Sequence, residues 1–472
     1  MLVAGNLSAD APKPNLIVFI ADDVSWDDFG CYGNKDVQTP NINKLADGGM
    51  KFMNAYLTAS SCSPSRNSIM TGRYPHNTGA AELHTHPPDD MISLPTVLQQ
   101  AGYYTIQAGK FHMGKNIAVG LDVMVTDKKE NGHGGEGAWL KTLKKRPKEK
   151  PFFAWFASSD AHRGWDSKNQ FRGTHKPDEI TPSHYLADMP ATRQDLCDYY
   201  DEIFRLDHYI GLVVEELKAQ KVLNNTVIIV MADNGRPFPH SKSRVNDRGM
   251  KTPFVVSWPA GIKNSGSVCN SLVSVIDIAT TFVELGGGLV PESFQGHNFA
   301  KLLDNPNADF RNYIFAEHNW HDFEAHERMV RDKDFMYILN SRPQLNAKGA
   351  IDVNNSPSSQ DLHKLHAQGK LTGIQGDIFT EPRPSEELYD YSKDPDQLNN
   401  VATNVEYSSK LKELRKILKT WMKETGDSVP QKLTKDWYTR FPNSKKTKDY
   451  KIRGEMPGAS NNAIKNNNKG QF

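Results

Sequence analysis

Asn15-Leu-Ile-Val-Phe-Ile20 runs without a polar break through Ala21 into Asp22-Asp23. A continuous stretch of branched and aromatic residues, with no polar alternation, reads as a strand buried on both faces, the habit of parallel sheets. Parallel strands need crossover connections, usually helices. Thr39-Pro40 opens one that runs through Leu45, with proline at an early helical position and Gly48-Gly49 ending it. Tyr103–Gln107, Pro151–Ala157, Thr226–Met231 and Phe254–Trp258 read as further strands. Between them Leu196, Tyr200, Ile203, Leu206, Ile210, Val213 and Leu217 recur at a three-to-four spacing and predict a long helix. The alternation predicts an α/β fold, a large mostly parallel or mixed sheet sandwiched by helices. Ligands of such sheets gather at the carboxyl ends of strands, where Asp22-Asp23 and Asp233-Asn234 fall.

The texture changes near residue 345. Ala347–Pro384 is polar and irregular, Glu386–Tyr391 reads as a short strand with a turn at Asp394-Pro395, and Leu411, Leu414, Leu418, Trp421 and Met422 mark an amphipathic helix. The expected organisation is a catalytic α/β domain over 1–345 and a smaller α+β subdomain with a short antiparallel sheet over 346–472. Its Asn/Lys-rich run Asn461–Lys469 reads as a mobile end.

The chain has 472 residues, enough to bury a large core, and 57 Lys+Arg against 56 Asp+Glu. The resulting +1 excludes a chain that is basic throughout, as many nucleic-acid binders are, and an acidic disordered one. The balance is uneven: Lys432–Phe472 carries ten Lys/Arg and three Asp/Glu, about +7, leaving about −6 elsewhere. That basic stretch (Lys445, Lys446, Lys448, Lys451, Arg453), interleaved with Trp437, Tyr438 and Tyr450, reads either as a solvated tail or as a segment folded back to a polyanion-binding rim. No apolar run approaches the roughly 20 residues of a membrane span, and Met1–Lys13 lacks a signal-peptide core. The expectation is a cytoplasmic chain or one whose leader has been removed. Cys31, Cys62, Cys197 and Cys269 form neither a disulfide framework nor a paired metal spacing.

Three sets of residues carry chemistry. Cys62 stands in Ser61-Cys-Ser-Pro-Ser-Arg66, just before Pro64 in the first turn of an expected helix. A lone cysteine is commonly just a small buried residue; at a helix N-terminus with Arg66 one turn in, it also marks a place for an anion. The pairs Asp22-Asp23 and Asp233-Asn234 offer only oxygen, which suits calcium or magnesium better than zinc, although adjacent aspartates also form turns. Lys110 and His112, His162 and Arg163, and His240 and Lys242 follow strands or lie near Asp233. Separately they read as solvated surface; together they supply cations and imidazoles for oxyanion transfer.

Cys62-Ser-Pro-Ser-Arg66 followed by Thr71-Gly72-Arg73 resembles the signature of type I sulfatases, in the alkaline-phosphatase-like superfamily. Asn15–Asp23 resembles the family's first strand and metal pair, Gly109-Lys110 with His112 its second catalytic segment, Ala232-Asp-Asn-Gly235 its second metal pair, and Glu387-Leu-Tyr-Asp390 with Asp394-Pro395 and Asn399-Asn400 its C-terminal signature. Asp233-Asn-Gly-Arg-Pro-Phe-Pro239, Glu317-His318 with Arg328, and Ser356-Pro357 with Gln360-Asp-Leu362 look closest to the sulfamidase-like branch, which includes heparan N-sulfatase. One departure stands out: Lys242 occupies the place of that branch's arginine, as in O-sulfatases, replacing a bidentate fork by a point charge.

The resemblance implies a sulfatase whose Cys62 is oxidised to formylglycine (3-oxoalanine) by a maturating enzyme and supplies the nucleophile. It implies one calcium ion held by Asp22, Asp23, Cys62, Asp233 and Asn234. Arg66, Lys110 and Lys242 would stabilise charge, His162 would support the leaving oxygen, and His112 would take the proton that frees sulfate. Arg163, Trp165, His318, His321, Asp322, Glu327 and Arg328 are the expected substrate contacts, although the His-rich segment also reads as an ordinary polar loop. The implied partner is a sulfated poly- or oligosaccharide, with no nucleic acid and no membrane span, and the implied location periplasmic or extracellular. Alternatives are an N-sulfoglucosamine sulfohydrolase, a phosphonate or phosphate monoester hydrolase of the same superfamily, an arylsulfatase, and a non-catalytic glycan binder.

Overall fold

The computed structural model describes residues 12–440 and 445–472. Eight strands form the main sheet: β1 (Asn15–Ala21), β2 (Met50–Tyr56), β3 (Tyr104–Gly109), β4 (Val123–Val125), β5 (Phe152–Ala157), β6 (Thr226–Ala232), β7 (Phe254–Ser257) and β8 (Ser267–Ser274). Their order is β4-β3-β5-β1-β6-β7-β2-β8. β4 through β6 are parallel, β7 runs antiparallel to both its neighbours, and β2 pairs parallel with β8.

The unbroken apolar run of β1 is explained by its central position. Leu16, Val18 and Ile20 enter one core with Phe153, Trp155, Ile229 and Met231. Ile17, Phe19 and Ala21 enter the opposite core with Phe156, Ile228 and Val230. Each such side chain, removed from water, stabilises the fold by about 1.5–3 kcal/mol. The helix Pro190–Ala219 covers the second face with Leu196, Ile203, Leu206, Ile210, Val213 and Leu217. The helices Cys62–Thr71 and Asp277–Leu285 cover the first with Ile69, Met70, Ile278, Ala279 and Phe282.

A second sheet has four antiparallel strands in the order β12-β11-β10-β9: β9 (Ile314–His318), β10 (Glu327–Arg331), β11 (Phe335–Asn340) and β12 (Glu386–Asp390). The division anticipated at 345/346 falls between β11 and β12, inside this sheet. The helix Ser408–Thr425 lies against it, with Leu414, Leu418 and Trp421 packed on Phe315, Val330 and Leu388. Trp421 stacks flat on Phe315, centroids 4.8 Å apart.

The described part of the basic stretch is anchored at Trp437 and Arg453, while Lys445, Lys446, Lys448 and Lys451 are exposed to solvent. Arg453 pairs with Glu82 at 3.1 Å and donates to Leu83 O, while Trp437 stacks on His84. Within the run expected to be mobile, the carbonyls of Ile464 and Asn466 and the Asn467 side chain accept hydrogen bonds from Arg73. Asn77 donates to Ala463 O at 2.7 Å. A buried guanidinium must have acceptors, and this segment supplies them.

Candidate active site

β1 and β6 lie in register, Ala21 opposite Ala232, so the acidic pairs following them emerge side by side. The Asp23 N–H donates to Asp233 Oδ1 at 3.1 Å. Cys62 is the first residue of its helix, with Ser61 at the N-cap position but making no side-chain cap. Its Sγ lies 3.6 Å from Asp22 Oδ1 and 3.8 Å from Asp23 Oδ1. Ligand atoms of Asp22, Asp23, Cys62 and Asp233 all lie within 4.8 Å of one another.

Three buried carboxylates this close demand counter-charge, and three cations provide it. Arg66, one turn into the Cys62 helix, donates from Nε to Asp233 Oδ2 at 2.7 Å and holds Nη2 3.7 Å from Asp22 Oδ1. Lys110, just past β3, pairs with Asp22. Lys242 donates to Asp23 Oδ2 at 2.6 Å.

The electrostatics follow from this packing. Burial alone would raise the Asp22 carboxyl, but Lys110, His162, Arg66 and Lys242 together hold it well below the usual carboxylate range. Burial, aided by Asp22 and Asp23, pushes Asp233 up to about 6 against Arg66 and Lys110. Burial also drives the Cys62 thiol well above its ordinary 9.0, with Asp22 and Asp233 adding to the shift. An unmodified thiol here stays protonated and is a poor nucleophile.

The donor set suits a hard divalent cation. Asp22, Asp23 and Asp233 offer carboxylate oxygens, and Asn234, whose amide nitrogen is turned to Asp23, has a buried Oδ1 with no hydrogen-bond partner among the described residues. Carboxylate plus amide oxygen is the ligand chemistry of calcium.

Imidazoles surround this group. His162 Nε2 lies 3.9 Å from Asp23 Oδ2 and 3.7 Å from Asp352 Oδ2. His112 Nε2 lies 2.7 Å from His84 Nδ1, and burial beside Lys110 and His84 keeps His112 neutral. His321 Nδ1 is 2.7 Å from Ser61 Oγ, the residue before Cys62.

The other expected contacts divide. Arg163 clamps Asp195 with two 2.7 Å bonds, and Trp165 Nε1 donates to the same carboxylate. Both line an open cleft of about 370 Å³ that Asp352 also borders. Asp322 accepts from Ile351 N at 3.0 Å and so fixes the short helix Ile351–Asn354 that carries Asp352. His318 and Glu327 bond each other at 2.7 Å, with Arg383 on Glu327 at 2.8 Å. Arg328 is fully buried and doubly bonded to Asp427. Its expected role as a substrate contact gives way to a structural one, because both arms of its fork face the core.

Two residues beside the site lack any local signal. Asp352 accepts from Lys242 Nζ at 3.0 Å but sits in the irregular 347–384 stretch. His84 reaches His112 from a loop, and the only hint is its place 22 residues after Cys62 in a stretch with two more histidines, His76 and His86.

The sulfatase family pattern matches residues 14–121 and 138–288, and the pattern for the C-terminal region of N-sulphoglucosamine sulphohydrolase matches 240–381. The chain belongs to the sulfatase family and is a sulfuric ester hydrolase. Its C-terminal match falls on the sulfamidase-like branch. It is 30% identical to an ulvan-active sulfatase of Formosa agariphila, over 88% of this chain and 76% of that one. It is also 30% identical to human N-sulphoglucosamine sulphohydrolase, over 88% and 90%. Among solved structures, a protein in complex with its substrate D-glucosamine-2-N,6-O-disulfate superposes with a TM-score of 0.68 at 21% identity, over 87% and 98% of the two chains. The phosphonate monoester hydrolase of Agrobacterium radiobacter has the same fold at 16% identity, TM-score 0.66, over 89% and 98%. The alkaline-phosphatase-like fold is therefore shared across both chemistries.

Proposed function

We propose that this chain removes sulfate from a sulfated poly- or oligosaccharide, using formylglycine made from Cys62 and one calcium ion. The observation that carries this reading is the convergence of Asp22, Asp23, Asp233 and Cys62 within 4.8 Å, ringed by Arg66, Lys110 and Lys242. Calcium, held by Asp22, Asp23, Asp233 and Asn234 with the modified Cys62, would neutralise sulfate oxygens and lower the pKa of the nucleophilic hydroxyl.

The chain's own residues do the rest. Arg66, Lys110 and Lys242 are placed to balance charge as the sulfur–oxygen bond breaks. His162, braced by Asp352, supports the leaving sugar oxygen. His112, kept neutral, is ready to accept a proton from the nucleophile's second hydroxyl. Trp165 offers a ring face for a sugar, with Arg163 held rigid against it at 4.8 Å.

O-sulfate is favoured over N-sulfate because Lys242 stands where the sulfamidase-like loop carries arginine. No helix of the described residues is long and apolar enough to cross a membrane, and we place the reaction in the periplasm or outside the cell, where the polymer is met. The test is a screen for released sulfate on O-sulfated algal and glycosaminoglycan oligosaccharides beside N-sulfoglucosamine, with an aryl sulfate and an aryl phosphate as controls. Release from an O-sulfated glycan is expected. Turnover of aryl phosphate in preference to every sulfate would establish the phosphohydrolase alternative.

A further inference from the structure

On the far side of the Ile351–Asn354 helix from the Trp165 cleft lies a second cavity, of about 200 Å³. The helix is the wall between them: Asp352 borders the cleft, while Val353 and Asn354 face the cavity. Lys242 lies at the base of that wall, lining the cavity while its ammonium group bonds Asp23 and Asp352.

The lining is cationic. Lys242, Arg244 and Lys348 line it, the first two paired from behind with Asp23 and Asp352 and with Asp377, and Glu381, at the exposed rim, is the one carboxylate among the described lining residues. Arg244 is 7% exposed. Its Nη2 donates to Asp377 Oδ2 at 2.6 Å, and its Nη1 has no hydrogen-bond partner among the described residues. His240, also buried, has its Nε2 unpartnered. A guanidinium this deep, half satisfied, is a feature that calls for an acceptor. Opposite stands Phe379, with His366 stacked flat on it at 4.1 Å and His363 edge-on at 4.9 Å. The amides of Asn346 and Asn354 and the Ser359 hydroxyl border the same space, groups that suit sugar hydroxyls.

We propose that this cavity is a second anion-binding subsite, which takes a sulfate or carboxylate group on a sugar further along the glycan whose sulfate is being removed, with Arg244 as its principal contact. The inference rests on the glycan reading above and adds to it that the preferred substrate carries more than one anionic group. With Nη2 held by Asp377, Arg244 has one arm left, enough for a single charge-assisted hydrogen bond to a sulfate or carboxylate oxygen. The size sets a limit as well: the space is smaller than the roughly 300–1,000 Å³ of an ordinary ligand site, room for one substituted ring edge rather than a chain.

The experiment compares kcat/KM on three forms of the best oligosaccharide from the sulfate-release screen: intact, with its non-reacting sulfates removed, and with its uronate carboxyls reduced. The wild-type protein should lose tenfold or more in kcat/KM, chiefly through KM, when the relevant anion is removed; which arm shows the loss identifies sulfate or carboxylate. Arg244→Gln should lose a similar factor on the intact oligosaccharide and then respond less than threefold to either modification. Because Arg244 also holds Asp377, the exposed His363→Gln serves as a second variant that leaves that pair intact, with a smaller loss of the same sign. Wild-type rates indifferent to both modifications, or variants that respond as strongly as wild type, overturn the subsite while leaving the sulfatase reading in place. Release of sulfate from no glycan overturns both.

Discussion

Asp352 Oδ2 and Lys242 Nζ, 110 residues apart in sequence, meet at 3.0 Å, and through this bond the short helix Ile351–Asn354 is tied to the carboxylate cluster. Lys242 is thereby shared between Asp23 and Asp352. Replacing Asp352 by asparagine removes the outer charge while keeping the shape. Asp352→Asn should lower kcat by about 10- to 100-fold, the range found for groups that orient directly acting residues. Its unfolding midpoint should stay close to wild type, since the side chain is 20% exposed. An unchanged kcat would separate Asp352 from the reaction.

Cys62→Ala should abolish turnover without unfolding the protein, because the side chain contributes no hydrogen bond the core depends on. Mass spectrometry of the peptide spanning Cys62, from active protein, should show sulfur lost and oxygen gained. A wholly unmodified peptide from an active preparation contradicts the nucleophile assigned here.

Chelation should remove activity, and calcium should restore it better than magnesium, which tolerates a crowded, irregular set of protein oxygens poorly. Calcium should also raise the melting temperature. A ligand present at 100 times its dissociation constant adds about 2.7 kcal/mol. The apo protein should remain folded, since Arg66, Lys110 and Lys242 already balance the three carboxylates. A melting temperature indifferent to calcium, together with chelator-resistant turnover, would argue against the metal.

Arg328→Met should destabilise the fold by about 3–5 kcal/mol by stranding Asp427 in the interior. Urea unfolding measures this. The rate of the remaining folded enzyme should be close to wild type, a result that a substrate-contacting arginine would not give.

His326 is fully buried, Nδ1 3.2 Å from Ser341 Oγ and Nε2 without a partner among the described residues. Burial, reinforced by Arg328, lowers it from 6.5 to about 3. The folded state therefore resists a proton that the unfolded chain accepts below pH 6.5. The stability this gives is full above pH 6.5 and is lost as the pH falls from there towards about 3. Between pH 7.5 and 5 the loss is about 2 kcal/mol. His326→Gln, which takes up no proton, should show a correspondingly shallower fall in unfolding free energy over that interval.

How much of this was legible depends on where each residue's partners lie. β1 could be read from Leu16–Ile20 because both its faces are buried, leaving nothing polar to interrupt the run. The metal-type cluster could be read because Asp22-Asp23 and Asp233-Asn234 are each local to a strand end, and parallel strands bring such ends together. Asp352 could not: its helix is four residues long, and its meaning comes from Lys242 far upstream. Arg328 misled for the opposite reason. Arginine is almost never fully buried without a partner, and that partner, Asp427, lies 99 residues on. The Asn461–Lys469 run has the composition of a mobile end, while its order comes from Arg73, whose need for acceptors is invisible in the run itself.

That clasp between Arg73 and residues 464–467 has a bearing on timing. Cys62 is 3% exposed, so the maturating enzyme of the proposed reading would reach its thiol only before the Cys62–Thr71 helix is packed in. The acceptors that complete the shell around Arg73, just beyond that helix, leave the ribosome about 400 residues after Cys62. At the roughly 5–20 residues per second of protein synthesis, the interval is about 20–80 s. On the proposed formylglycine reading, the shell around the Cys62 helix closes only after that interval, which would leave the cysteine within reach of chemical maturation while the intervening chain is made.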